Sequence, residues 1–225
     1  MNQKCDIINK LKKRSKDTKT LELIEKTILS TMYVCQINGQ LPIKSIKEKT
    51  MFSDEQIRDK INNLIEKNLV NEDKTTLTEM GRNSLHVVLA GGVFDIIHPG
   101  HIHTLNAAKK LGDTLIVVVA TDKTAIKMKK RNPLHSAQLR QELVSSLTMV
   151  DLCIIGDEED IFKTVDLVKP QIIALGYDQT HQEKFITEGC KKINLDVTVA
   201  RLESPRPETS SSIIQKEYGK DIHGL

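Results

Sequence analysis

"LAGGVFDIIHPGHIHTL" (residues 89–105) places two histidines, His98 and His101, around a Pro-Gly pair directly after a β-rich hydrophobic run. Pro99 suits the first turn of a helix, where its missing N–H would have no partner anyway. His98 then stands at the helix entry and His101 follows one turn later, on the same face. Free N–H groups and the macrodipole at such an end favour an anion, phosphate above all. Gly91, Gly92 and Gly100 remove side chains where a triphosphate would approach the backbone. The pattern therefore reads as an anion site with two adjustable donors, suited to transfer of a phosphoryl or nucleotidyl group. An arbitrary H-x-x-H more often caps a helix and meets solvent. A zinc site is disfavoured, since His103 points away and no Cys, Asp or Glu completes a shell.

The surrounding sequence supplies the context. From His86 onward, "HVVLAGG", "TLIVVVATD", "DLCIIGD", "QIIALGYD" and "DVTVARL" read as strands. They alternate with helices expected near 100–111, 136–148, 159–168 and 181–193. Near-continuous Val/Ile/Leu runs indicate a mostly parallel sheet covered on both faces, an α/β fold whose ligands sit beyond the strands' carboxyl ends. The histidine stretch lies at the carboxyl end of the first of these strands.

Residues 1–84 are written differently. "TLELIEKTILSTMYVCQI" places Leu21, Ile24, Ile28 and Met32 on one helix face, and "GQLPIKSIKEKT" suggests a turn and a second helix. Ser53 and Gln56 have capping-box spacing at the start of a third helix, whose buried stripe is Ile57, Ile61, Leu64 and Ile65. "VNEDKTTLTEMGRNSL" offers two short strands around a polar turn. The order helix, helix, helix, hairpin is that of a winged helix-turn-helix, so two domains are expected, 1–84 and 85–225.

Composition narrows the function classes. A net charge of +3 and the lack of a roughly 20-residue apolar run impose neither a membrane nor an acidic partner. The amino terminus lacks the apolar core of a secretory signal, so a cytoplasmic protein is expected. Four scattered cysteines make no C-x-x-C and read as free thiols. With 3% aromatics and no Trp, stacking platforms for single-stranded nucleic acid are lacking. Neither a Walker-type kinase motif nor a G-x-G-x-x-G after a strand occurs, which leaves nucleotide kinases and dehydrogenases unsupported. The third helix balances Asp54, Glu55, Asp59 and Glu66 against Arg58, Lys60 and Lys67, a poor footprint for a phosphate backbone, so a structural or dimerising module is favoured over a DNA reader. The chain is expected to be a homo-oligomer.

"GGVFDIIHPGH" resembles the G-x-F-D-x-x-H-x-G-H signature of the cytidylyltransferase-like nucleotidyltransferases, over about residues 86–217. Within that superfamily "HPGHIHTLNAAKKLGDTLIVVVATDKT", "LRQELVSSLTMVDLCIIGD" and "KPQIIALGYDQT" are most similar to archaeal FAD synthases, and glycerol-3-phosphate cytidylyltransferases share much of the pattern. The resemblance implies a Rossmann-like sheet and a reaction in which a substrate phosphate attacks a nucleoside triphosphate and expels pyrophosphate. ATP with FMN is the first expectation, and CTP with an alcohol phosphate the alternative. A regulator that senses nucleotide and binds DNA is the rival of another class. Mg²⁺ is implied on the triphosphate, with no protein ligand.

The resemblance further implies that His98 and His101 stabilise the attacked phosphate and the leaving pyrophosphate. Val93 and Phe94 would offer backbone contacts to the nucleotide beside Pro99 and Gly100. Asp178 matches a nucleotide-contacting position, and "PRPETSSSII" puts Arg206 and Ser211 near the phosphates, in a register shared with Ser210 and Ser212. A basic loop, "IKMKKRNP", is expected to lend a triphosphate-binding lysine, Lys129 before Lys130; Arg131-Asn132-Pro133 stands where archaeal FAD synthases read R-K-P. Asp95 and Arg140 are assigned to the acceptor, although a loop Asp often caps local N–H groups and a helix Arg often pairs on its own surface.

Overall fold

A computed structural model describes residues 21–176, 179, 182–203 and 214. The chain divides into two compact units that meet at His86/Val87.

In the first unit, α1 (Leu23–Asn38) buries Ile28, Leu29 and Met32 completely and ends at Gly39, whose φ of 69° lies in the left-handed region that favours glycine. Helix α2 (Pro42–Thr50) carries Pro42 in its first turn and buries Ile46. Ser53 opens α3 (Asp54–Glu66) with the expected capping box. Its Oγ accepts the Gln56 N–H at 3.2 Å, while Gln56 Oε1 accepts the Ser53 N–H at 2.9 Å. Ile57, Ile61 and Leu64 are buried, and Ile65 is half-buried. The expected hairpin is reduced to one antiparallel bridge, Val70 with Leu77. "TEMGRNS" closes into a short helix instead, α4 (Glu79–Asn83), because Thr78 Oγ1 accepts the Gly81 N–H at 2.9 Å.

The second unit holds one sheet of five parallel strands, β1 (Val87–Gly92), β2 (Thr114–Val119), β3 (Leu152–Ile155), β4 (Ile172–Leu175) and β5 (Thr198–Arg201), in the order β3-β2-β1-β4-β5. Val88 pairs Leu115 on one side and Ile172 on the other, which makes β1 the central strand. The central strands are the continuous apolar runs of the sequence: Val87 to Ala90, Thr114 to Val117, and all of β4 are buried. The chain winds outward from β1 through β2 to β3, returns to β4, then winds outward to β5. Right-handed crossovers therefore put the helices of the two halves on opposite faces and open a crevice at the carboxyl ends of β1 and β4.

The helices are α5 (Pro99–Lys109), α6 (Asp122–Lys129), α7 (Ala137–Ser145), α8 (Ile161–Val168) and α9 (Gln182–Lys192). Helix α6 corrects the expectation of a basic loop after β2. Thr121 Oγ1 accepts the Thr124 N–H at 3.1 Å and starts the helix, Ala125 buries its inner face, and Lys130 at φ 58° ends it. Only residues 130–133 of the lysine-rich stretch remain non-helical. Cys35, Cys153 and Cys190 are free and buried among the described residues. Among these residues no helix is long and apolar enough to cross a membrane.

Candidate active site

Strand β1 delivers Gly91 and Gly92 to the crevice, and the next six residues turn the chain into α5. Pro99 occupies the first helical turn, so His98 becomes the N-cap residue at φ −140°, ψ 168°. His101 follows one turn on, and the two imidazoles stack with centroids 3.9 Å apart at a tilt of 34°. His103, one residue past a turn from Pro99, is exposed.

The site is electrostatically unusual. His98 Nδ1 and His101 Nδ1 are buried and have no hydrogen-bond partner within the protein, and Arg131 Nη2 shares that condition. Buried polar atoms are almost always paired, so unpaired ones concentrated around a loop mark a place kept for a polar ligand. Burial, then the charge of His98, then that of Lys129 push the His101 pKa down to about 4, and the Ile96 backbone opposes them. Burial and then Lys129 lower that of His98 as well. Both rings are thus neutral at pH 7. Lys129, at the exposed carboxyl end of α6, projects its charge onto both of them.

The loop between β1 and α5 is strained and clamped. Phe94 sits at φ 52°, in the left-handed region that bulky residues avoid. Its ring stacks on His101 at 5.1 Å between centroids. A Cβ at Gly92 would come within 3.0 Å of that ring, so this glycine serves the approach of Phe94. At Gly91 the nearest atom to such a Cβ is the Val118 carbonyl oxygen at 3.7 Å, so packing does not demand a glycine and the position opens on the crevice.

Asp95 is 3% exposed and fully engaged. Its Oδ1 accepts the Leu134 and His135 N–H groups at 2.7 and 3.3 Å, and its Oδ2 accepts Arg131 Nη1 at 2.8 Å. The carboxylate therefore pins residues 131–135 to the histidine loop, the capping role. Arg140 takes neither expected form. It is 0% exposed and braces the same region from α7: Nη1 donates to the Val93 carbonyl at 2.6 Å, Nε to that of His135 at 3.0 Å, and Nη2 to Asp122 Oδ1 at 2.7 Å. The Val93 carbonyl is thereby occupied. Sequence reasoning missed Asp122 and His135, whose partners lie far away in the chain, and it noted Arg131 only as part of a motif. Asp178, Arg206 and Ser211, with Ser210 and Ser212, lie outside the described residues.

A cavity of about 180 Å³ is lined by Gly91 and Gly92 of β1 together with residues of α8 and α9. Its lining is mostly aliphatic, with Val165, Ile173 and Ile186, and also carries Asp157, Gln179 and Gln182.

A parallel sheet of this order, with paired neutral histidines opening the helix after its central strand, defines a nucleotidyltransferase. Residues 89–217 match the Cytidylyltransferase-like family model, and the chain belongs to that family. It is 50% identical over 125 residues to an FAD synthase of Picrophilus torridus, a match spanning 56% of this chain and 89% of that protein. An FAD synthase of Aciduliprofundum boonei is 49% identical over 115 residues, 51% of this chain and 76% of that one. A solved structure described as a lipopolysaccharide core biosynthesis protein from Thermoplasma volcanium is 45% identical, with a TM-score of 0.51, over 53% of this chain and 98% of that one.

Proposed function

We propose that the protein is an FMN adenylyltransferase: a phosphate oxygen of FMN attacks the α-phosphorus of ATP, the bond from that phosphorus to the α,β-bridging oxygen breaks, and FAD and pyrophosphate leave. The observation that carries the reaction type is the pair of neutral imidazoles with unpaired Nδ1 atoms at the amino end of α5. Identities near 50% to FAD synthases support the choice of substrates. The nucleophile is already an anion at neutral pH, since a phosphate monoester loses its second proton near pH 6, so no general base is required. The work left to the protein is positioning and stabilising charge on the attacked and leaving oxygens. His98 and His101 supply that as preorganised donors, and Lys129 adds a positive charge. A triphosphate drawn against the rings raises their proton affinity and strengthens those bonds.

A divalent cation is proposed on the phosphate oxygens, where it would neutralise charge. Asp178, Arg206 and Ser211 are proposed for nucleotide contacts, and the 1–84 region for a structural or dimerising role.

The test is a pyrophosphate-release screen crossing ATP and CTP with FMN, glycerol 3-phosphate and phosphoethanolamine under Mg²⁺. FAD and pyrophosphate are expected from ATP with FMN. Ready formation of CDP-glycerol with no FAD would transfer the same histidine chemistry to the cytidylyltransferase alternative.

A further inference from the structure

The backbone of Phe94 is held against its own preference. Its φ of 52° lies where a bulky side chain costs free energy. Met51, Lys130 and Lys169 take the same conformation as helix C-caps, where it closes the last turn. Phe94 closes no helix; it follows β1, and the chain is fastened on both sides of it. Arg140 Nη1 holds the preceding carbonyl, that of Val93, at 2.6 Å, and the Asp95 carboxylate that follows takes Arg131 and the Leu134 N–H. Strain of this kind persists only where the surroundings over-determine it, and it gathers at working sites.

We propose that Phe94 is a positioning residue for the transfer: its ring fixes the plane of the His101 imidazole, and the left-handed backbone is what puts that ring there. The inference rests on the reading of His101 as a donor to the phosphates. A helix places the Cα and Cβ of His101, but the last torsion of a histidine is broad and roughly two-fold, so the helix leaves the ring plane unset. His98 cannot set it alone, because its own side chain caps no N–H and its Nδ1 has no hydrogen-bond partner in the protein. Phe94 can. It is 6% exposed, and its centroid lies 5.1 Å from that of His101 at a tilt of 54°, within the spacing and inclination that aromatic pairs prefer. Gly92 backs it: a Cβ there would stand 3.0 Å from two atoms of the Phe94 ring, so a larger residue would push the ring from its place. The Ile96 backbone, in the same loop, bonds the imidazole. His101 is thus held by the loop before its helix as well as by the helix. An imidazole fixed in this way meets the phosphates without reorienting, and a displacement of about 1 Å in such a group costs about 10²-fold in rate.

The experiment uses the full chain with Phe94→Leu, which keeps apolar cover without the ring, and Phe94→Gly, which removes the ring and relieves the backbone. Circular dichroism reads folding, steady-state kinetics reads FAD synthesis, and NMR reads the His101 titration, with His98 and Lys129 retained as the charges acting on it. The expected kcat is lower by about tenfold for leucine and about 10²-fold for glycine, with KM for ATP and FMN within about threefold. The His101 midpoint should rise from about 4 in both variants, further for glycine, as water reaches the ring. In a His101→Ala background, adding Phe94→Gly should cost no more than about twofold, because the ring then has nothing to hold. A glycine variant as active as the wild type, a full further loss on top of His101→Ala, or an unchanged midpoint in both variants would each overturn the inference. In the wild type without substrate, nuclear Overhauser contacts between the two rings are expected, and their absence would overturn it whatever the variants do. A wild type that makes no FAD would remove the functional reading instead. The ring contact and the titration are read without catalysis, so the two failures are distinct.

Discussion

His101 offers the most direct check on the site's electrostatics. An unfolded chain leaves a histidine near pKa 6.5, whereas burial, His98 and Lys129 bring His101 down to about 4 in the native chain. That gap is worth about 3 kcal/mol at about 1.4 kcal/mol per pH unit. The sign follows from proton counting. Above about pH 6.5 neither state binds the proton and the group costs nothing. As pH falls from 6.5 toward 4, the unfolded chain gains protons that the native chain refuses, so native stability declines. Below about pH 4 both states are protonated and the loss stops growing. At pH 5 the loss reaches about 2 kcal/mol relative to pH 7.5. His101→Phe removes the group, so urea titrations at the two pH values should show a wild-type loss exceeding that of the variant by about this amount. Depressed carboxylates such as Asp157 contribute equally to both proteins and cancel in the difference. An NMR titration of the His101 ring proton reads the same quantity directly, and inorganic pyrophosphate should move the midpoint upward. A His101 that titrates near pH 6.5 without ligand would refute the reasoning, because a solvated ring cannot be the buried donor described.

Three further outcomes are expected. His98→Ala and His101→Ala should each lower turnover by about 10²-fold or more, the scale of one preorganised transition-state donor, with circular dichroism unchanged; near-normal turnover in both would remove them from the chemistry. Arg140→Met should destabilise the second unit by about 3 kcal/mol, because the buried carbonyl of Val93, that of His135 and the half-exposed Asp122 all lose a guanidinium that is itself fully buried, a loss visible in thermal unfolding without added substrate. Full-length protein should bind random duplex DNA only weakly at physiological salt, since α3 carries Asp54 and Glu55 in its first turn; tight, sequence-selective binding in a fluorescence titration would promote the regulator reading.

What the sequence by itself determined was local. Pro99 at the head of a helix, Ser53 with Gln56 as a capping box, and the Val/Ile/Leu runs of β1, β2 and β4 each depend on residues within one or two turns, and each stands in the structure as read. The stacking of His98 on His101 belongs to this group, because an i, i+3 pair at a helix start has little freedom to do otherwise. Helix α6 was also locally encoded, by Thr121 as its cap, but four lysines and an arginine between 123 and 131 disguised it as a solvated loop. Tertiary structure decided the rest. Asp95 meets Arg131 and Leu134 across 36 and 39 residues, and Arg140 reaches Val93 across 47. No spacing rule connects such partners, so a carboxylate and a guanidinium that looked available to a substrate turn out to be spent holding its loop. The aliphatic cavity likewise exists only where β1, β2 and β4 meet α8 and α9. The physical reason is range: capping and strand patterning act over a few bonds, while desolvation, buried charge pairing and shape arise only when distant segments exclude water together.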